Sequence, residues 1–195
     1  TMGSNLILIL PGSTTSGGIR AGMGSAPTLT FEDVKAIRAE CPAVALAAPE
    51  QRGTAQLVAG NLNWSTGITG TTPELLQIRD WKIASGREMT AAEVDSGQKV
   101  CLIGATVAEN LFGSDDPVGR QVRIKGVPFQ VIGLLAAKGR SAQGSDQDDV
   151  ALLPITTAQR KILGNPFPGM VGPVLVQARG EAQLPQAEAE INALL

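Results

Sequence analysis

Residues 99–135, KVCLIGATVAENLFGSDDPVGRQVRIKGVPFQVIGLL, decide how this chain is read. Val100–Ile103 is a short apolar run of the kind that forms a buried strand. Ala105–Phe112 has the composition of a helix, and Gly113 closes it as a residue that tolerates the left-handed conformation. Asp115, Asp116 and Pro117 make a turn. Gln121–Ile124 and residues 128–135 then read as two strands about Lys125 and Gly126, a hairpin. A strand, a helix and a hairpin in so short a span nearly close a small core of their own. The segment is therefore expected to belong to an inserted subdomain.

Working outward, residues 6–10 are an aliphatic strand stopped by Pro11 and Gly12, and residues 13–27 are a Gly/Ser/Thr-rich loop. Thr30 opens a helix with Asp33 three residues on. Phe31, Val34 and Ile37 recur at helical spacing, and Pro42 ends the element. Strands are expected at 44–48, 55–59 and 64–69, with Gln51, Arg52 and Gly53 joining the first two. Pro73 is placed to start a helix containing Leu75, Leu76 and Ile78. Ser85, Gly86 and Arg87 read as a turn, and Thr90 with Glu93 as a second capping box. Toward the C-terminus, residues 139–149 are a polar, mobile loop and residues 150–153 a strand. Thr156 or Thr157 is expected to cap a helix. Residues 164–173 are a second irregular loop, Val174–Ala178 a strand, and 185–195 a helix with Ala187, Ile191 and Leu194 on one face.

The composition narrows the function. A net charge of −2 offers no field for a phosphate backbone, and 3% aromatic residues with no Tyr offer no stacking platform, so nucleic acid is set aside. The chain has no histidine, which removes the commonest general base and metal ligand. Cys41 and Cys101 are too few for a disulfide scaffold and lie in separate elements, so they are expected to be free. No segment reaches the roughly 18 apolar residues of a membrane span. The polar start shows no signal-peptide pattern, and the chain as given is expected to be soluble. Thr1 ahead of Met2 is expected to mark a trimmed beginning.

Candidate chemistry is sparse. Ser96 and Lys99 match the S-x-x-K of serine acyl enzymes, but span a turn into a strand and lack the companion motifs. Asp146, Asp148 and Asp149 lack the glycine and terminal glutamate of a calcium loop and are expected to be solvated. Gly22, Met23 and Gly24 lack the third glycine of a dinucleotide site, and no P-loop motif occurs. Glu32, Glu40 and Glu50 are expected to be solubilising charges. The expectation is a chain that is not an enzyme and holds no metal and no cofactor.

One resemblance is specific. The order and spacing of Gly86-Arg87, Val100–Ile103 with Gly104, Ala108 to Gly113 in sequence AENLFG, Asp116-Pro117-Val118-Gly119, and residues 126–133 in sequence GVPFQVIG resemble MacB-type ABC transporter permeases. Gly3 to Leu6 with Pro11-Gly12, residues 150–154 and the final amphipathic helix also fit, so the resemblance covers nearly the whole chain. It implies an extracytoplasmic domain between the first and second transmembrane helices of a permease. The fold class implied is α+β, with a porter-like α/β subdomain formed by both chain ends, residues 1–71 with 148–195. An inserted mixed α/β, sabre-like subdomain would comprise residues 72–147.

The function the resemblance implies is mechanotransmission. Cytoplasmic ATP hydrolysis would be coupled to periplasmic conformational change while the domain docks a periplasmic adaptor for efflux. The implied partners are that adaptor (a membrane fusion protein), an outer-membrane channel, the permease's own transmembrane helices, its ATP-binding domain or subunit, and a second permease copy. The implied location is the inner membrane, with the domain facing the periplasm. The two irregular loops supply the candidate partner-binding residues: Arg140, Gln143 and Asp146 in one, Pro166, Phe167 and Pro168 in the other, where Phe167 between prolines would be an aromatic anchor. Three alternatives stay open: a lipoprotein-releasing-type permease domain, a free-standing binding protein for a small or lipidic ligand, and a hydrolase using Ser96 and Lys99.

Overall fold

In the computed structural model, residues 5–11, 15–16, 19–20, 29–164 and 169–195 are described. The stretch Gly22-Met23-Gly24 and the candidates Pro166, Phe167 and Pro168 lie outside the described residues. The principal elements in chain order are β1 (Leu6–Ile9), α1 (Phe31–Glu40), β2 (Val44–Pro49), β3 (Gln51–Ala59), β4 (Leu62–Thr71) and α2 (Glu74–Ile78). They continue as β5 (Ile83–Gly86), α3 (Ala91–Ser96), β6 (Val100–Ile103), α4 (Ala105–Phe112), β7 (Gln121–Ile124), β8 (Val127–Leu135) and β9 (Val150–Pro154). The last are α5 (Ile155–Thr157), β10 (Val174–Ala178) and α6 (Leu184–Leu194). The fold is a mixed α+β one, as expected.

Both expected capping boxes form. In α1 the Thr30 hydroxyl accepts from Asp33 N at 3.2 Å, and the Asp33 carboxylate accepts from Thr30 N at 2.8 Å. In α3, Thr90 and Glu93 do the same at 3.2 and 3.0 Å. Each box satisfies two N–H groups that a helix start leaves without partners.

Pairing closes a ring. Strands run β7-β3-β4-β9-β6-β8, and β7 pairs β8 as well as β3, so six strands form a barrel, with β5 added along the far end of β8. Two of the pairings, β9 with β4 and β6 with β8, are parallel; the others are antiparallel. A closed ring leaves no edge among those six strands. Its interior is filled by alternate residues from all of them, including Leu57, Ile68, Ile103, Ile124, Phe129 and Leu153, with Val107, Ala108 and Leu111 of α4 packed into the same cluster. Fully burying each large side chain contributes roughly 1.5–3 kcal/mol.

The intervening residues Val100, Leu102 and Leu152 face a second cluster. There the outside of the ring meets α1, α6 and one face of an antiparallel sheet ordered β1-β10-β2. Burial on both faces explains why β6 reads as a continuous apolar run rather than an alternation. The helix α2 covers part of the sheet's other face through Leu75 and Ile78.

Two glycines bracket the motif run of residues 86–133, and they face each other across β5 and β8. A Cβ on Gly86, whose φ is +80°, would lie 2.2 Å from the Ile132 carbonyl oxygen, and one on Gly133 would lie 2.4 Å from that of Arg87. Only glycine lets these backbones approach so closely.

The ring draws β3, β4 and β9 from residues 1–71 and 148–195, and β6, β7 and β8 from residues 72–147. Some local sequence expectations need correction. Gln51, Arg52 and Gly53 lie within β3, so the passage from β2 to β3 is Glu50 alone. Ser85 and Gly86 end a strand and do not form a free turn. Thr156 and Thr157 cap nothing. Their hydroxyls donate to the Val94 carbonyl and, at 2.7 Å, to the Gln98 carbonyl, and α5 runs into a π-helical turn, Ala158–Ile162.

Candidate functional site

The loop at 139–149 leaves the ring at the end of β8 and returns into β9. It is held at its base by three carboxylates, each with a distinct task. Asp148 is 8% exposed, and its two oxygens accept from Lys138 N at 2.7 Å and Gly139 N at 2.9 Å. Asp146 accepts from the Thr106 hydroxyl of α4 at 2.7 Å and from Asp148 N at 2.8 Å. These bonds hold the Asp146 carboxyl below its ordinary value, the Thr106 contact first, with the Arg140 charge adding to them. Asp149 accepts from Trp64 Nε1 at 2.9 Å and from the Thr66 hydroxyl at 2.6 Å. The expected solvated role is thus overturned for Asp148 and Asp149, while Asp146 stays exposed. Asp146 and Asp148 accept backbone N–H groups that a loop otherwise leaves without partners.

Within the loop, Arg140 and Asp146 form a one-residue antiparallel bridge, and Ser141 N donates to Ser145 O at 2.8 Å. Gln143 lies at the exposed tip, and Arg140 and Asp146 are also exposed. The structure therefore brings these three candidates together on one anchored tongue. The base is seated tightly, since a Cβ on Gly104 would fall 2.1 Å from the Asp148 carbonyl oxygen.

Beside this tongue is a site that sequence reasoning missed. Glu50, expected to be a solubilising charge, is 3% exposed. One of its oxygens accepts from Arg79 Nε at 2.9 Å and Nη2 at 2.7 Å, and the other from Arg52 Nη2 at 3.0 Å. A buried carboxylate needs such partners, and losing them would leave an uncompensated charge. Glu50 and both arginines line an open cavity of about 330 Å³ with Trp81, Asp146 and Gln147. Lys138 reaches into the same region. Its ammonium donates to the Arg79 carbonyl and sits 5.0 Å from the Trp81 ring centre, and burial lowers its pKa. No local signal marks Glu50, because Arg79 is 29 residues away.

The remaining candidates are structural. Ser96 stands at the C-terminal end of α3, where its hydroxyl donates to the Ala92 carbonyl at 2.7 Å, while Lys99 is exposed. That is the wrong end of a helix for an activated serine. Cys41 and Cys101 are both free and buried, in different core clusters. Burial pushes the Cys101 thiol up to about 12. Among the described residues, no group of three or more His, Cys, Asp or Glu side chains is arranged to hold a metal ion, and no helix is long and apolar enough to cross a membrane.

Comparison with known proteins agrees with the resemblance. Residues 1–194 match the family described as MacB-like periplasmic core domain. A macrolide export ATP-binding/permease protein MacB from Syntrophobacter fumaroxidans is 44% identical over 166 residues, 85% of this chain and 23% of that protein. The protein of the same name from Chlorobium luteolum is 38% identical over all of this chain and 29% of its own length. The chain thus spans about a quarter of these relatives. Among solved structures, the periplasmic region of MacB from Actinobacillus actinomycetemcomitans superposes with a TM-score of 0.78 at 21% identity, covering 99% of this chain and 83% of that one. The extracellular domain of the ABC-type transporter YknZ from Gram-positive bacteria gives 0.70 at 20% identity, covering 86% and 82%. With fold, motif order and whole-chain match in agreement, the chain belongs to the MacB-like periplasmic core domain family, as the periplasmic domain of an ABC transporter permease.

Proposed function

We propose that this domain is a mechanical and docking module. It couples cytoplasmic ATP hydrolysis to a periplasmic conformational change and docks a periplasmic adaptor for efflux. The observation that carries the reading is the match over residues 1–194 to a periplasmic core domain whose relatives are named ATP-binding/permease proteins. In this reading nucleotide chemistry belongs to a cytoplasmic domain outside the chain, and the domain itself is not an enzyme. The two-part organisation into porter-like and sabre-like portions remains part of the proposal.

The partners proposed are the adaptor, an outer-membrane channel reached through it, the permease's own transmembrane helices and a second permease copy. The contact surface proposed is the anchored tongue carrying Arg140, Gln143 and Asp146, together with Pro166, Phe167 and Pro168. An anchored loop suits docking because little ordering entropy is lost when a partner binds. The relatives' names make macrolides the first substrates to test.

The test is export by the full-length protein in a host lacking its own macrolide pumps. Deletion of this domain, or Arg140→Glu combined with Gln143→Ala, should abolish resistance while basal ATPase activity persists. Undiminished resistance after deletion would overturn the reading.

A further inference from the structure

The tongue and the Glu50 site are physically joined, and the joint lies where the chain passes between the three-stranded sheet and the ring. Four segments converge on Glu50. The residue itself is the whole passage from β2 to β3, and its N–H donates to the Pro173 carbonyl at 2.8 Å, just before β10. The buried Thr71 hydroxyl at the end of β4 donates to the Pro49 carbonyl at 2.8 Å. Arg79, just past α2, supplies the two-pronged contact to the Glu50 carboxylate. From Arg79 the connection runs outward: its carbonyl accepts from the Lys138 ammonium, and the Lys138 N–H is held by Asp148 at the base of the tongue.

We infer that Lys138, Arg79 and Glu50 form a relay coupling the tongue to the joint between sheet and ring, so that strain applied at the tongue changes how firmly the two are locked. Every link is a direct contact, and the two links into Glu50 and Asp148 involve carboxylates that are 3% and 8% exposed. Contacts inside a low-dielectric region transmit displacement because breaking one strands its partner. Arg52 is an auxiliary member: its side chain is 65% exposed, and water can replace it. The relay deepens the docking reading and rests on it for its purpose, though not for its existence.

Hydrogen exchange measured by mass spectrometry on this chain tests it without any partner. Glu50→Gln keeps the shape and removes the charge. It should speed exchange of the amides of residues 50–53, 172, 174 and 175 on the order of tenfold to a hundredfold, with residues 100–103 inside the ring unchanged. Lys138→Met should speed the same joint amides roughly tenfold, although its side chain does not touch Glu50. Should Lys138→Met loosen only residues 138–149, or should either variant accelerate all amides equally, the relay is refuted. A relay that holds here while the tongue variants leave export intact would instead refute the docking reading.

Discussion

Replacing Asp148 by alanine should cost the domain about 2–4 kcal/mol. The carboxylate accepts two backbone N–H groups, from Lys138 at 2.7 Å and Gly139 at 2.9 Å. Charge-assisted bonds of this kind contribute about 1.5–3 kcal/mol each. The sum is reduced because Gly139 is exposed and water recovers part of its bond. Asn in the same place retains one carbonyl acceptor and should cost about half as much. Urea unfolding followed by the fluorescence of Trp64 and Trp81 reads the difference as a lower midpoint at an unchanged slope. Trypsin should then cut native D148A after Lys138 or Arg140 faster than it cuts the parent. A midpoint shift equivalent to less than about 0.5 kcal/mol, with unaltered cleavage, would refute the anchoring role and return residues 139–149 to an ordinary solvated loop.

Three further outcomes follow from the geometry. Gly133→Ala should destabilise by about 1–3 kcal/mol, because its Cβ would lie 2.4 Å from a backbone oxygen; an unchanged thermal midpoint would contradict the close approach of β5 and β8. The Glu93 carboxyl sits at about 2 rather than 4.5, held there first by Arg87, with bonds at 2.7 and 3.0 Å. Its folded-state value is depressed, so the stability it contributes is present above pH 4.5 and disappears as pH falls toward 2. Since Arg87 is 53% exposed, screening limits the effect to about 1 kcal/mol, measured as a gap between wild type and Glu93→Gln that closes over that pH window; a gap independent of pH would contradict it. Ellman's reagent should find neither thiol in the native chain and both in denaturant, whereas a denatured chain without free thiols would mean that Cys41 and Cys101 had paired.

What the sequence made legible was local. Thr30 with Asp33 and Thr90 with Glu93 announced helix starts, because a capping box lies within four residues. The apolar run at Val100–Ile103 announced a strand, and Lys125 with Gly126 the hairpin that β7 and β8 make. Gly86 and Gly133 stood out only as the two ends of the motif run; nothing local marked that their backbones meet across β5 and β8. Ring closure depends on Ile124 meeting Leu57, residues far apart in sequence with nothing local to mark the match. The same distance hid Glu50, whose partner Arg79 lies beyond the whole of β3 and β4. Of the candidate site, the position of the tongue was readable from its composition. Its anchoring was not, since aspartates serving as backbone acceptors look the same in sequence as aspartates facing water.

As the periplasmic domain of an ABC transporter permease, this chain should be carried within a much larger membrane protein. An antibody raised to it, applied to fractionated cells that carry the natural gene, tests that directly. The expected result is a band far larger than 20.1 kDa in the inner-membrane fraction, cleaved by protease once the outer membrane is opened. A band near 20.1 kDa in a soluble fraction would contradict it.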